Sequence, residues 1–147
     1  MTNGAETEGG QQVAATYLGI ADGRPFLKGS KCDACGQVYL GERINCAKCA
    51  ARAAMQPVEL STKGHLYNYT IVYRSYPGIT VPFISAIVDL EGGGTVKGNL
   101  IDIEPTPDNI SFDMPVEVVF RGAELANPAA AGFVAHFFIP AKQGQPA

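Results

Sequence analysis

With 147 residues, 46% of them hydrophobic, the chain can build one compact domain and a small appendage. No apolar run approaches the ~18 residues of a membrane span, so a soluble protein is expected. A formal charge of −3 and a pI near 5.3 argue against a protein built mainly to hold a polyanion.

Met1 to Gln12 is polar and Gly-rich without a hydrophobic leader, which predicts a disordered start and gives no targeting signal. Val13, Ala14, Tyr17 and Leu18 then recur at helical spacing, predicting a short amphipathic helix that ends near Gly19 or Gly23. A helix of that length is unstable alone, so its apolar face must dock on its own domain or on a partner.

All four cysteines fall in two pairs, Cys32-Asp33-Ala34-Cys35 and Cys46-Ala47-Lys48-Cys49. Two residues between ligands let one tight turn offer both sulfurs to one ion, and two such turns complete the tetrahedral thiolate cage that zinc prefers. Gly36 suits the positive φ that such a turn often requires. Gln37 to Leu40 reads as a strand and Gly41-Glu42 as its turn, the pattern of a zinc ribbon. Iron in a rubredoxin-like cage uses the same ligands and stays open. Disulfides need an oxidising compartment, and a redox CxxC leaves the second pair unexplained. A site of four cysteines has no open position, so the expected zinc is structural.

Residues 24–63 hold seven Lys or Arg against three acids, whereas from residue 65 onward there are four bases and eight acids. Counting four thiolates and one zinc ion takes the net charge to about −5. The ribbon is therefore basic and the body acidic, and the bases at least offset the thiolates.

Val58 to Thr62 opens a series of β segments. From His65 to Arg74, Tyr67, Tyr69, Ile71 and Tyr73 alternate with Leu66, Asn68, Thr70 and Val72, which puts the two sets on opposite faces. A turn-rich loop, Ser75 to Pro82, leads to Phe83–Leu90, apolar enough for a buried strand. Glu91 to Gly94 reads as a hairpin turn and Thr95 to Ile103 as the returning strand, with Gly98 a bulge or close-approach point. Val116 to Arg121 and Phe133 to Ile139 are the last strands, separated by an Ala- and Gly-rich loop. The expected fold is mainly β: a short N-terminal helix with the disordered start over 1–30, a four-cysteine zinc ribbon over 31–56, and a small OB-like β-barrel over 57–147. A sandwich has the same strand count.

The order of these pieces resembles the family that joins a rubredoxin-like zinc ribbon to an acyl-CoA-associated OB-fold. The likeness rests on the two CxxC knuckles, Ser61 to Gly64 entering a strand with Tyr69-Thr70, Pro82-Phe83, Val88 to Gly92, and Met114 to Val118, and it spans about residues 13–140. Leu40 to Arg43 stands where the family often has Pro-Pro-Arg, Ala47 where it has proline, and Ala50 where it has glycine. The resemblance implies a non-catalytic cytoplasmic subunit of a hetero-oligomer beside a thiolase-fold enzyme, or beside an acyl-CoA hydratase or aldolase, in the metabolism of aromatic, steroid or other acyl-CoA thioesters. Coenzyme A would then bind mainly to the partner, with Arg43, Lys48 and Arg52 as candidate contacts to its phosphates. The metal ligands would be Cys32, Cys35, Cys46 and Cys49.

The residues agree with a chain that leaves chemistry elsewhere. His65 and His136 both sit in predicted strands, no cysteine lies outside the cage, and Gly92-Gly93-Gly94 lacks the strand-to-helix context of a phosphate loop. Two other readings compete. Tyr67, Tyr69, Tyr73 and Arg74 would suit a single-strand nucleic-acid platform, which the acidic barrel disfavours; an autonomous acyl-CoA-binding module would need no partner at all.

Overall fold

The computed structural model describes residues 12–141. The expected disorder of the N-terminal segment falls on residues 1–11, outside the described residues, apart from Gln12. Among the described residues there are ten strands: β1 (Gln12–Val13), β2 (Leu18–Ala21), β3 (Arg24–Cys32), β4 (Val38–Leu40), β5 (Met55–Glu59), β6 (Lys63–Val72), β7 (Phe83–Leu90), β8 (Thr95–Leu100), β9 (Pro115–Gly122) and β10 (Phe133–Pro140). Short 3-10 turns follow β8 and β9.

The predicted N-terminal helix is not there. Val13 is buried in β1, which pairs in parallel with Phe133 and Val134 of β10, and Leu18 is buried in β2, which pairs with β3. Between them the chain bends, with Leu18 N–H donating to the Ala15 carbonyl at 3.1 Å. The helical spacing of Val13, Ala14, Tyr17 and Leu18 comes from two extended pieces that reach one core. That apolar face is accordingly filled from within the chain.

Five strands close on themselves in the order β6, β7, β8, β10, β9 and back to β6. Only β8 and β10 run parallel within this ring, through Phe137 opposite Asn99 and Phe138 opposite Leu100. This is the OB-like closed barrel, and closure leaves the ring without a free edge. Alternate residues fill it: Leu66, Ile84, Ala86, Val88, Val96, Leu100, Val116, Val118 and Phe138 are all buried. Each large apolar side chain so removed from water contributes on the order of 2 kcal/mol.

Strand β6 departs from the predicted alternation. Its register against β7 shifts between Leu66 and Asn68, so Tyr67 is an extra residue at a β-bulge. Leu66 points inward before the bulge; Tyr69 and Ile71 pack on the core after it, while Tyr67 is 66% exposed. The tyrosines expected on one face are thereby split between two.

The ribbon is organised on β3. Its first half pairs with β2, its second half lies between β4 and β5, and Cys32 opposite Met55 ends the sheet at the metal cage. The segment from Val58, expected to start the β series, is therefore the end of a strand that pairs with β3. Leu18, Leu27 and Leu60 carry the barrel's core cluster into this sheet. The hairpin turn after β7 closes the junction: Leu90 N–H donates to the Gly94 carbonyl, and a Cβ at Gly93 would lie 2.7 Å from Val38 Cβ. Among the described residues no helix is long and apolar enough to cross a membrane.

Candidate metal centre

Two turns of the same construction bring the cysteines together. In the first, Gly36 N–H donates to the Cys32 carbonyl at 2.8 Å; in the second, Ala50 N–H donates to the Cys46 carbonyl at 3.0 Å. Both turns need a left-handed residue after the second cysteine, and Gly36 has φ 81° and Ala50 φ 64°. Alanine thus adopts the conformation that glycine takes without a Cβ penalty. Outside the turns, Cys32 N–H is fixed by the Gln37 carbonyl and Cys46 N–H by the Ala51 carbonyl.

The four Sγ atoms all lie within 4.8 Å of one another. Cys32 and Cys49 sulfurs are 3.7 Å apart and Cys35 and Cys46 sulfurs 3.6 Å. A disulfide has sulfurs about 2.05 Å apart, whereas a tetrahedron with metal–sulfur bonds of about 2.3 Å has edges near 3.8 Å. The cluster therefore fits a four-coordinate thiolate metal, zinc or iron, with Cys32, Cys35, Cys46 and Cys49 as the ligands. When bound, such an ion supplies cross-linking of two turns and no open coordination position.

Tyr39 of β4 is a supporting residue that the sequence reading treated only as a strand position. Its Oη accepts from the N–H groups of Ala47 and Lys48, each at 3.1 Å, and lies 3.4 Å from Cys46 Sγ. With sulfur ionised, the hydroxyl donates to it, in the way outer groups fix a metal ligand's orientation. This bond, followed by the Cys49 N–H, brings the Cys46 thiol down to about 6. Cys49 goes the other way: the Ala51 N–H lowers it, but desolvation and three neighbouring sulfurs outweigh that and push it up to about 11. Cys46 is thus more readily ionised than Cys49.

The three cations expected at coenzyme A are all exposed on this ribbon. The Arg43 guanidinium carbon sits 4.4 Å above the Tyr39 ring, and its Nε donates to the Asn45 carbonyl at 3.1 Å. Arg52 is opposite Asn45 in an isolated antiparallel bridge, and Lys48 lies inside the second knuckle. Exposed Ile44 lies beside Arg43 in the chain.

The histidines do not join this cluster. His136 Nε2 is 2.8 Å from the Lys97 carbonyl oxygen, and its ring meets Tyr17 and Phe138 edge-on at 5.4 and 5.8 Å. Burial lowers its pKa, partly offset by that carbonyl. His65 is exposed on β6.

A four-cysteine ribbon packed on a closed five-stranded OB barrel defines the class of this protein. Residues 57–121 match the family described as the C-terminal OB-fold domain of ChsH2. A DUF35 domain-containing scaffold protein of Methanocaldococcus jannaschii is 34% identical over 100 residues, covering 67% of this chain and 70% of that protein. The benzoylsuccinyl-CoA thiolase subunit BbsA of Geobacter metallireducens is 35% identical over 105 residues, covering 71% and 68%. Among solved structures, one described as the Ltp2-ChsH2(DUF35) aldolase superposes with a TM-score of 0.63 at 26% identity, covering 80% of this chain and 86% of that one. The chain belongs to the DUF35 family.

Proposed function

We propose that this protein is a zinc-bearing accessory subunit of an enzyme that processes acyl-CoA thioesters, and that a thiolase-fold subunit is its partner. The observation that carries the reading is the relatives' pairing: a chain of the same family is a subunit of benzoylsuccinyl-CoA thiolase. The likeness to the aldolase structure favours a second reading, in which the partner is an aldolase. In either case the reaction is the partner's. Here the four cysteines are placed to serve as ligands of a structural ion, and His136 is bonded and packed. Such a subunit works in the cytoplasm, where thiols stay reduced.

Within that complex Arg43, Lys48 and Arg52 would reach the phosphates of coenzyme A. Support comes from their exposure on a ribbon whose metal removes conformational freedom that contacts would otherwise have to freeze. Arg43 is tied to Tyr39, so Arg52 gives the cleaner test.

Purification of the tagged chain from its own host should co-elute an acyl-CoA enzyme. In the resulting complex, Arg52→Ala should raise KM for coenzyme A about tenfold, the effect of losing about 1.4 kcal/mol, with zinc content and assembly unchanged. A chain that elutes alone and leaves the enzyme's rate unaltered defeats the accessory role. A normal KM in an intact complex defeats only the phosphate contact.

A further inference from the structure

The sulfur cluster has a second chemistry that a shielded structural site would lack. Cys32 and Cys46 are buried, at 0% and 3% exposure, whereas Cys35 and Cys49 are exposed. Each of the 3.6 and 3.7 Å sulfur approaches crosses from one knuckle to the other and pairs a buried cysteine with an exposed one. The exposed cysteine of each pair is therefore the one nearer to an oxidant arriving from solvent, and a second sulfur lies within 3.7 Å of its own.

We propose that the ribbon is a peroxide-responsive site, in which oxidation joins Cys35 to Cys46 and Cys49 to Cys32 and expels the metal. This rests on the metal reading of the four cysteines. In the first step the exposed Cys35 thiolate attacks one oxygen of hydrogen peroxide. The O–O bond breaks, the sulfur becomes a sulfenic acid, and the other oxygen leaves as hydroxide and takes a proton to form water. Cys46 thiolate then attacks the sulfenic sulfur; the S–O bond breaks, hydroxide leaves, and a second proton makes a second water. Two thiolates, one peroxide and two protons become one disulfide and two waters, with two electrons passing from sulfur to peroxide. With a second peroxide the same sequence starts at Cys49, once its thiol has given up its proton, and closes onto Cys32.

Losing two of four ligands at the first disulfide is enough to release the ion, because zinc in such a cage has no other protein ligand. Tyr39 favours the pairing, since its hydroxyl and the Ala47 and Lys48 N–H groups fix the knuckle that presents Cys46. Release of the metal would also loosen the turn that carries Lys48 and the bridge beyond it that holds Arg52.

The test uses the full chain loaded with zinc, with one ion per chain established first by elemental analysis; protein that takes up no metal fails the metal reading before peroxide is added. Zinc is then followed with a chromophoric chelator during hydrogen peroxide addition, and disulfides are mapped without reduction. Trypsin separates residues 32–43, which hold Cys32 and Cys35, from 44–48 with Cys46 and 49–52 with Cys49. The expected result is release of the bound zinc, peptide 32–43 linked to both others, Cys35–Cys46 and Cys32–Cys49 assigned by fragmentation, and zinc uptake restored by a thiol reductant. Overturning results are zinc retained at peroxide levels that oxidise a free thiol, or Cys32–Cys35 closed within peptide 32–43. Cys46–Cys49 as the main link, or irreversible sulfinic acid at the exposed positions, would overturn it equally.

Discussion

Gly36 and Ala50 do the same work in the two knuckles, with φ of 81° and 64° and one N–H each returning to the first cysteine's carbonyl. A left-handed conformation costs an L-residue about 1 kcal/mol relative to glycine, so the second knuckle holds strain the first does not. Nothing lies within 4 Å of a Cβ built at Gly36, so a substitution there would meet backbone strain alone. Ala50→Gly is therefore expected to stabilise the metallated protein by up to about 1 kcal/mol, and Gly36→Ala to destabilise it by a similar amount, read as opposite shifts in denaturation midpoint. Equal destabilisation by both would contradict the account. The convergence of the four cysteines was legible in the sequence because CxxC spacing is local and all four thiols fall in the two pairs. Tyr39 was not, because its role depends on a hydroxyl reaching Ala47, Lys48 and Cys46 across the ribbon, and a tyrosine in a short strand carries no sign of that reach.

Among elements, the glycine turn after β7 shows how a hairpin recognised in sequence acquires a second task. Gly92, Gly93 and Gly94 all have positive φ, at 82°, 114° and 97°. They differ in surroundings: a Cβ at Gly92 meets nothing within 4 Å, whereas at Gly93 it would be 2.7 Å from Val38 Cβ on the ribbon strand β4. Gly92→Ala should thus cost about 1 kcal/mol of backbone strain, and Gly93→Ala about 1–3 kcal/mol more, because β4 must move away. Urea denaturation of the two variants separates the contributions; equal losses would mean that the turn does not set how ribbon and barrel pack. Gly98 illustrates the same point inside the barrel, where the expected close approach is to His136 and Phe138. The strands themselves were readable from alternation and turn residues, but two features were not. At Val13 to Leu18 a spacing shared by helices and by two short strands was read as a helix, and the sequence alone holds no record that β10 and β3 would receive those strands. In β6, one bulged residue at Tyr67 reverses the period, so a pattern that looks continuous changes face midway.

At the scale of the whole molecule, the barrel closes least completely where β8 meets β10. Their ladder covers Asn99 and Leu100 opposite Phe137 and Phe138, and just beyond it the His136 ring takes over, with Nε2 against the Lys97 carbonyl. Tyr17, in the segment that joins β1 to the ribbon's β2, packs edge-on against that ring, and burial raises the Tyr17 pKa. One imidazole therefore touches the barrel seam and the crossover to the ribbon at once. Its pKa is lowered chiefly by burial, with the Lys97 carbonyl opposing. The unfolded chain takes up this proton near the ordinary value of 6.5, and the folded protein only at lower pH. Well above 6.5 both states are neutral and His136 contributes its full stability; as pH falls from there through the folded pKa, the unfolded state alone gains the proton first, and that stability is lost. Acid also removes the metal by protonating the thiolates, so a bare loss of stability would not identify the histidine. His136→Gln keeps a donor for Lys97 and removes the charge, while leaving the cysteines untouched. Thermal unfolding of the zinc-loaded protein and of the variant, in matched buffers from pH 7.5 to 5.5, should give a shallower decline for the variant. Parallel declines would assign the acid sensitivity to the metal cage alone and leave His136 as packing.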